Sequence, residues 1–387
     1  MMWRNTLVAA LGLGLAMAAG GAAQACDLAA PDAAKAGPGC ARAWMDHNLR
    51  LNDLMTVGTH NSYKQAISDP IMALLKARAP DRWQALDYSH PSLTEQLNDG
   101  ARALELDLVY DPQGGRFAHP AGMKLTGQAV SPDYEAAMAR PGFKVMHVQD
   151  LDFRSSCPVF IDCLRAIRAW SQAHPGHAPI LITMNTNDEP SLVPGGVAEL
   201  PFDTAAYDAL DAEIAQVFAR GELITPDQVR GDYRTLREAV LKQGWPTLGQ
   251  ARGKILFALD EEGRHIDAYR GGRSSLQGRL LFVNTDEASP DAAYLTLNEP
   301  SDRPRIAAAV KAGFLVRTRA DADTVEARAN TVTRRDAALT SGAQYVSTDY
   351  PHPDPRLSSY QVRAPGGAVT VCNPQRAPER CAGLPVE

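Results

Sequence analysis

The sequence predicts an α/β protein whose core is a closed parallel (β/α)8 barrel of the TIM type, on three observations. Eight short apolar runs recur along the chain, each about the length of a buried strand. Helix-patterned segments with recognisable caps separate them, and most runs end in a polar residue, which is where such barrels carry their chemistry. An open doubly wound sheet is the alternative, but no Gly-x-Gly-x-x-Gly or phosphate loop follows any run. The 387 residues suit one large domain or two ordinary ones, and 45% hydrophobic with 22% charged residues is a globular composition. A net charge of −6 without a basic run gives no reason to expect nucleic acid or an anionic membrane patch.

Residues 1–25 read as an export signal. Arg4 supplies the positive start, Leu7 to Ala19 is apolar but too short and too Ala/Gly-rich for a membrane span, and Ala23-Gln24-Ala25 fits a cleavage site. The expected mature chain begins near Cys26, is secreted or periplasmic, and has no membrane-spanning segment. An acylated Cys26 is the lesser alternative, because Ala23 stands where a lipobox carries Leu, and a retained anchor ranks below it. Six cysteines agree with an oxidising compartment. Six allow 15 pairings, and local spacing favours Cys26–Cys40, Cys157–Cys163 and Cys372–Cys381. A cysteine zinc site is the alternative, though no Cys-x-x-Cys is present.

Residues 26–51 form a lead-in. Leu54 to Thr59 is the first strand and runs directly into His60-Asn61-Ser62-Tyr63. Ser92-Leu93-Thr94-Glu95 is a capping box that opens a helix ending at Gly100. From Leu104 to Asp111 apolar and acidic residues alternate with period two, so Glu105 and Asp107 share one face of a strand. Adjacent carboxylates repel and raise each other's pKa unless a cation lies between them. A solvent-exposed face would explain an isolated pair, but Leu104, Leu106, Leu108 and Val109 place this one in a large core. Lys144 to Val148 is the third expected strand and carries His147. Phe160 to Ala173 is a helix with Ile161, Leu164, Ile167 and Trp170 on one stripe.

Ile180 to Met184 is the fourth strand and continues into Asn185-Thr186-Asn187-Asp188-Glu189. Asp203 to Arg220 is a helix, and Thr225-Pro226 starts another with Pro at its first position. Ile255 to Leu259 ends at Asp260, and Leu280 to Val283 ends at Asn284. A helix from Pro304 to Ala312 precedes the seventh strand, Phe314 to Arg319, and a helix from Thr324 to Thr340 precedes the eighth, Tyr345 to Asp349. The barrel is thus expected over residues 52–352, and residues 353–387 as a Pro-rich, disulfide-tied tail over it.

The strand ends collect His60, Asn61, Glu105, Asp107 and His147 at one mouth. A lone histidine is most often structural; two histidines and two carboxylates at three successive strand ends exceed what packing needs. An amide oxygen and two carboxylates suit Ca²⁺, which polarises a phosphoryl oxygen. Histidines on either side can stabilise a phosphorane and protonate a leaving oxygen. The chemistry indicated is phosphodiester cleavage. A zinc reading of the histidines is weaker, because Asn61 is a poor zinc ligand.

Gly58-Thr59-His60-Asn61-Ser62-Tyr63, Leu104-Glu105-Leu106-Asp107, Met146-His147 with Asp152-Phe153-Arg154-Ser155-Ser156-Cys157, and Val346-Ser347-Thr348-Asp349-Tyr350-Pro351 together resemble the secreted bacterial, calcium-dependent phosphoinositide phospholipase C family, a branch of the PLC-like phosphodiesterase barrels. The resemblance runs from about Asn52 to Pro351. It implies that Asn61, Glu105 and Asp107 bind Ca²⁺, that His60 stabilises phosphorane charge, and that His147 is the general acid toward the diacylglycerol oxygen. It makes Glu105 a candidate base, and attack by the inositol hydroxyl would give a cyclic phosphodiester first.

Similar proteins tend to carry Glu at the end of the fourth strand as a further calcium ligand and Lys two residues on. Here Asn185 and Asn187 hold those places. Asn185 then ligates through its carbonyl oxygen with a lower calcium affinity, or Asp188 or Glu189 substitutes. Arg317 and Arg319, two apart on one strand face, are candidates for the phosphate contact, and Asp349, at the end of the eighth strand, is a candidate substrate contact; a surface or salt-bridged arginine pair is the plainer reading. Two other functions compete. One is a phosphodiesterase for glycerophosphodiesters or another diester. The other is a secreted phosphoinositide-binding protein that has lost turnover, supported by Asn185 and opposed by the intact His60 and His147. A monomer is expected.

Overall fold

The computed structural model describes Met1 and residues 25–242 and 244–387; the segment read as an export signal, apart from Met1 and Ala25, lies outside the described residues. The described strands are β1 (Leu54–Thr59), β2 (Ala103–Val109), β3 (Lys144–Val145), β4 (Ile180–Thr186), β5 (Ile255–Leu259), β6 (Leu281–Val283), β7 (Tyr294–Thr296), β8 (Leu315–Arg319), β9 (Tyr345–Thr348) and β10 (Thr370–Cys372). They form an α/β fold with two mixed sheets, in the orders β10-β1-β9-β8-β7 and β3-β2-β4-β5-β6. All neighbours are parallel except β10 on β1 and β3 on β2.

The sheets meet at two seams. Between β1 and β2, Arg102 N–H donates to Val57 O at 3.3 Å and Ser62 N–H to Glu105 O at 3.0 Å. At the other, Asn284 after β6 bridges Tyr294 of β7 in parallel. The first seam depends on Gly58, where a Cβ would lie 2.1 Å from Ala103 O. The central strands are buried along their whole length, as expected of parallel strands covered on both faces. The helix Phe160–Ala173 packs Phe160, Cys163, Leu164, Ile167 and Trp170 inward, leaving Ile161 half-buried.

Three expectations are corrected. The third strand is a two-residue piece, antiparallel to β2, because Asp111 turns the chain back: its carbonyl accepts Gly142 N–H at 2.9 Å, and its carboxylate lies 3.3 Å from the buried Lys144 Nζ. A further parallel strand is instead Tyr294–Thr296, three residues between Pro290 and Pro300 and too short to show a period. The helix over 324–340 is two, Val325–Ala329 and Thr333–Thr340, broken at Asn330 with φ +49°. The Ser92 capping box forms as read, with the helix at Leu93–Asn98, and all three local disulfides are present. The tail contributes β10 to the edge of β1, and no described helix is long and apolar enough to cross a membrane.

Candidate functional site

Strand β1 delivers His60 and Asn61 to the seam with β2. His60 N–H donates to Thr348 O at 3.0 Å, which continues the β1–β9 ladder by one residue. Asn61 then turns left-handed, with φ +46°. That turn brings Ser62 Oγ to accept Glu105 N–H at 2.8 Å, so the end of β1 is stitched to the middle of β2. The His60 ring lies with Nδ1 2.8 Å from Asp349 Oδ1 and Nε2 3.6 Å from Glu105 Oε1. A carboxylate only accepts, so the neutral ring carries its proton on Nδ1 and leaves Nε2 with a lone pair. Arg319 joins both partners, with Nη1 3.3 Å from His60 Nε2 and Nη2 3.2 Å from Asp349 Oδ2. Burial, with the Arg319 charge, holds the His60 pKa well below the ordinary imidazole range.

His147 sits in the loop after β3 rather than on a strand, with Nδ1 2.8 Å from Asp152 Oδ2. A backbone bridge between Val148 and Asp152 closes that loop. The other oxygen of Asp152 lies 3.2 Å from Nζ of the fully buried Lys64, off hydrogen-bond alignment. Lys64 also donates to Leu86 O at 2.9 Å and Tyr88 O at 3.0 Å. Burial pulls the His147 pKa down, but the hydrogen bond and charge of Asp152, with the charge of Asp107, outweigh it and hold the group above its ordinary value. The two imidazoles are therefore pushed in opposite directions.

Glu105 and Asp107 face one side of β2 as the alternation requires, and both are buried. Asn185 of β4 lies opposite Asp107 in register. Burial and the Glu105 charge push Asp107 up to about 6, opposed by His147, Asn185 and Tyr63. Tyr63 OH donates to Asp107 Oδ2 at 2.8 Å. Asn61 donates its amide to Tyr88 OH at 2.8 Å, while its buried Oδ1 has no hydrogen-bond partner. Among the described residues no cluster of three or more His, Cys, Asp or Glu side chains is placed to hold a metal. The set here is two carboxylates and two amides. These are hard oxygen donors with an acceptor to spare at Asn61, and they fit calcium.

The structure thus brings together His60, His147, Asn61, Glu105, Asp107, Asn185, Arg317, Arg319 and Asp349. Arg317 is buried against Glu105, Asp260, Asn298 and Ser347. Asp349, read from the sequence as a substrate contact, lies against His60 and Arg319. Neither substitute for Asn185 joins the carboxylates: Asp188 pairs with Arg264 at 2.6 Å, and Glu189 is exposed. Sequence reasoning missed Tyr63, Lys64, Tyr88, Asp152 and Asp260 as parts of the site. Asp152, five residues past His147 in the same polar loop, Tyr63 in the cluster after the first strand and Asp260 at the end of a strand left local signals; Lys64 and Tyr88 left none.

Residues 49–374 match the family described as phosphoinositide phospholipase C, Ca²⁺-dependent, and the chain belongs to that family. The fold is similar to that of a calcium-dependent phosphoinositol-specific phospholipase C from the Gram-negative bacterium Pseudomonas sp. The apo form shares 18% identity over 85% of this chain and 96% of that one, with a TM-score of 0.53. Its myo-inositol complex shares 18% over 84% and 96%, with a TM-score of 0.52. No significant sequence relative was found among curated proteins.

Proposed function

We propose, with that family membership as the premise, that this chain is an exported enzyme that cleaves phosphatidylinositol-type lipids between phosphorus and the diacylglycerol oxygen. The observation that carries the reading is the pair of imidazoles, each held at Nδ1 by a buried carboxylate and shifted oppositely in pKa. We read the two sheets as halves of one (β/α)8 barrel closed through the Val57–Arg102 and Asn284–Tyr294 seams, so that parallel strand ends share one mouth. The three disulfides support an oxidising destination.

His60, neutral, accepts the proton of the attacking inositol hydroxyl on its Nε2 lone pair, which Arg319 Nη1 occupies at 3.3 Å until it turns to the phosphoryl oxygen. That oxygen bonds to phosphorus, the bond from phosphorus to the diacylglycerol oxygen breaks, and protonated His147 gives its Nε2 proton to the departing oxygen. The product is a cyclic inositol phosphodiester, and water opens it with the two roles exchanged. This makes His60 the base. Glu105 serves poorly in that role, because Arg317 is bonded to its carboxylate. Arg319, beside His60, is placed for the phosphoryl charge, and Asp349 orients His60. Asn61, Glu105, Asp107 and Asn185 would hold calcium, which when bound stabilises negative charge on the phosphoryl oxygen and acidifies a bound hydroxyl.

The test is a product assay by phosphorus NMR on phosphatidylinositol and on glycerophosphoinositol, each with Ca²⁺ and with chelator. The reading expects cyclic inositol phosphate from the lipid, with calcium. Full turnover in excess chelator overturns the calcium assignment, and faster turnover of glycerophosphoinositol favours a soluble diester as substrate.

A further inference from the structure

The paired carboxylates of β2 do not face each other bare. The register that sets Asn185 opposite Asp107 puts Asn185 Nδ2 2.9 Å from Asp107 Oδ1 and 3.1 Å from Glu105 Oε1. The second oxygen of each carboxylate is also taken. Tyr63 OH donates to Asp107 Oδ2 at 2.8 Å, and Arg317 Nη2 donates to Glu105 Oε2. Arg317 is itself pinned: Nη1 donates to Asn298 Oδ1 at 2.7 Å and lies 3.4 Å from Asp260 Oδ2, and Nη2 reaches Ser347 Oγ at 3.2 Å. All four carboxylate oxygens therefore have a protein donor, and the Arg317 charge is shared between Glu105 and Asp260.

We infer that the protein neutralises this site from within at rest, through the Asn185 amide and the Arg317 guanidinium, and takes up calcium only in the millimolar range by turning the Asn185 amide over. The inference rests on the ligand set proposed above. Half a turn of a carboxamide exchanges its NH₂ for its oxygen in nearly the same volume. With nitrogen inward, both carboxylates are satisfied without a metal. With oxygen inward, Asn185 joins Asn61, Glu105 and Asp107 as an oxygen donor, and each carboxylate loses a donor that a cation must replace.

Calcium uptake therefore displaces two hydrogen bonds and brings the ion beside a guanidinium that stays on Glu105. Glu105 and Asp107 bring two negative charges to the ion, and Arg317, shared with Asp260, offsets part of them. Calcium affinity follows ligand charge, and weakly charged extracellular sites bind at about 10⁻⁴–10⁻³ M. A site of this kind stays in its self-neutralised state where calcium is scarce and fills in a calcium-rich medium outside the cell. Asn185 and Arg317 then set the calcium threshold; neither has to touch the reacting atoms to do so.

The experiment is calcium titration calorimetry on the full disulfide-bonded chain, with thermal unfolding in CaCl₂ and in EGTA. Three proteins are compared: wild type, Asn185→Asp and Arg317→Met. Wild type should bind with a millimolar midpoint. Asn185→Asp removes the inward donors and adds a ligand charge in the same volume, so it should bind about 10–100-fold tighter. It should also melt lower than wild type in EGTA and recover in calcium. Arg317→Met should bind about 10-fold tighter through loss of the neighbouring charge; should it fail to fold, the isosteric Asn185→Asp still decides. Micromolar binding by wild type, or no gain in Asn185→Asp, overturns the inference and leaves the lipase reading standing. That reading falls separately, by absence of cyclic product from phosphatidylinositol. If none of the three binds calcium, the ligand set and this inference fall together.

Discussion

Asp152 Oδ2 accepts the Nδ1 proton of His147 at 2.8 Å, while the other oxygen of the same carboxylate lies 3.2 Å from the buried ammonium of Lys64. The carboxylate is buried and anchored, so its charge acts on His147 with little solvent screening, and the Lys64 charge opposes it only in part. Its hydrogen bond and charge raise the His147 pKa against the effect of burial. An acid must be protonated to act, so a raised pKa extends activity toward higher pH, and activity falls as pH rises through it. Asp152→Asn removes the charge and lowers that pKa. The alkaline limb of kcat/KM should move to lower pH, with a loss of about 10–100-fold at its former optimum. An unmoved alkaline limb would contradict the pairing.

Leaving-group chemistry separates the two histidines. A diacylglycerol alkoxide must be protonated as it departs, whereas a nitrophenolate leaves unaided. General acid help is worth roughly 10²–10⁴-fold. His147→Ala should lose that factor on the lipid and largely spare a nitrophenyl inositol phosphodiester, while His60→Ala should damage both. Equal slowing of both substrates by His147→Ala would remove it from the acid role.

Asp349 orients a base in this account and does not bind substrate. Its Oδ1 sits 2.8 Å from His60 Nδ1 and keeps the proton there. Asp349→Asn no longer enforces that tautomer, and a loss of roughly 10²–10⁴-fold in kcat is expected with KM little changed, by analogy with the serine-protease triad. A raised KM with kcat intact would return Asp349 to the substrate-contact role read from the sequence.

Gly58 tests whether the seam positions the chemistry. A Cβ there meets Ala103 O at 2.1 Å, so β1 and β2 must part. Gly58→Ala should lower stability by about 1–3 kcal/mol, as overpacking does. It should also depress kcat, because His60 and Glu105 sit on the two strands it separates. Thermal unfolding beside steady-state kinetics checks both; an unchanged melting temperature with full activity would show that the seam tolerates the shift.

Much of the site was legible because the information is local. Period-two alternation puts Glu105 and Asp107 on one face whatever surrounds the strand. A buried apolar run that stops at His60-Asn61 marks a strand end, Ser92 and Glu95 name a helix start, and cysteines six to fourteen residues apart pair nearby. These features need only a few neighbouring residues to exist.

What tertiary structure decided is which distant groups meet. Asp349 is 289 residues from His60, and Arg317 is 212 from Glu105. The charge on Arg317 is plain in the sequence; that it rests on Glu105 follows from strand order and the approach across the sheets, which no window of the chain encodes. The same holds for Asn185, whose identity announced a weaker ligand, while the β2–β4 register decided that its amide lies between both carboxylates. Residue types and their spacing along a strand determined the chemistry this protein has available. Register and strand order determined which charges are already neutralised, because ion pairs and hydrogen bonds form only over a few ångströms of space, however far apart the partners lie along the chain.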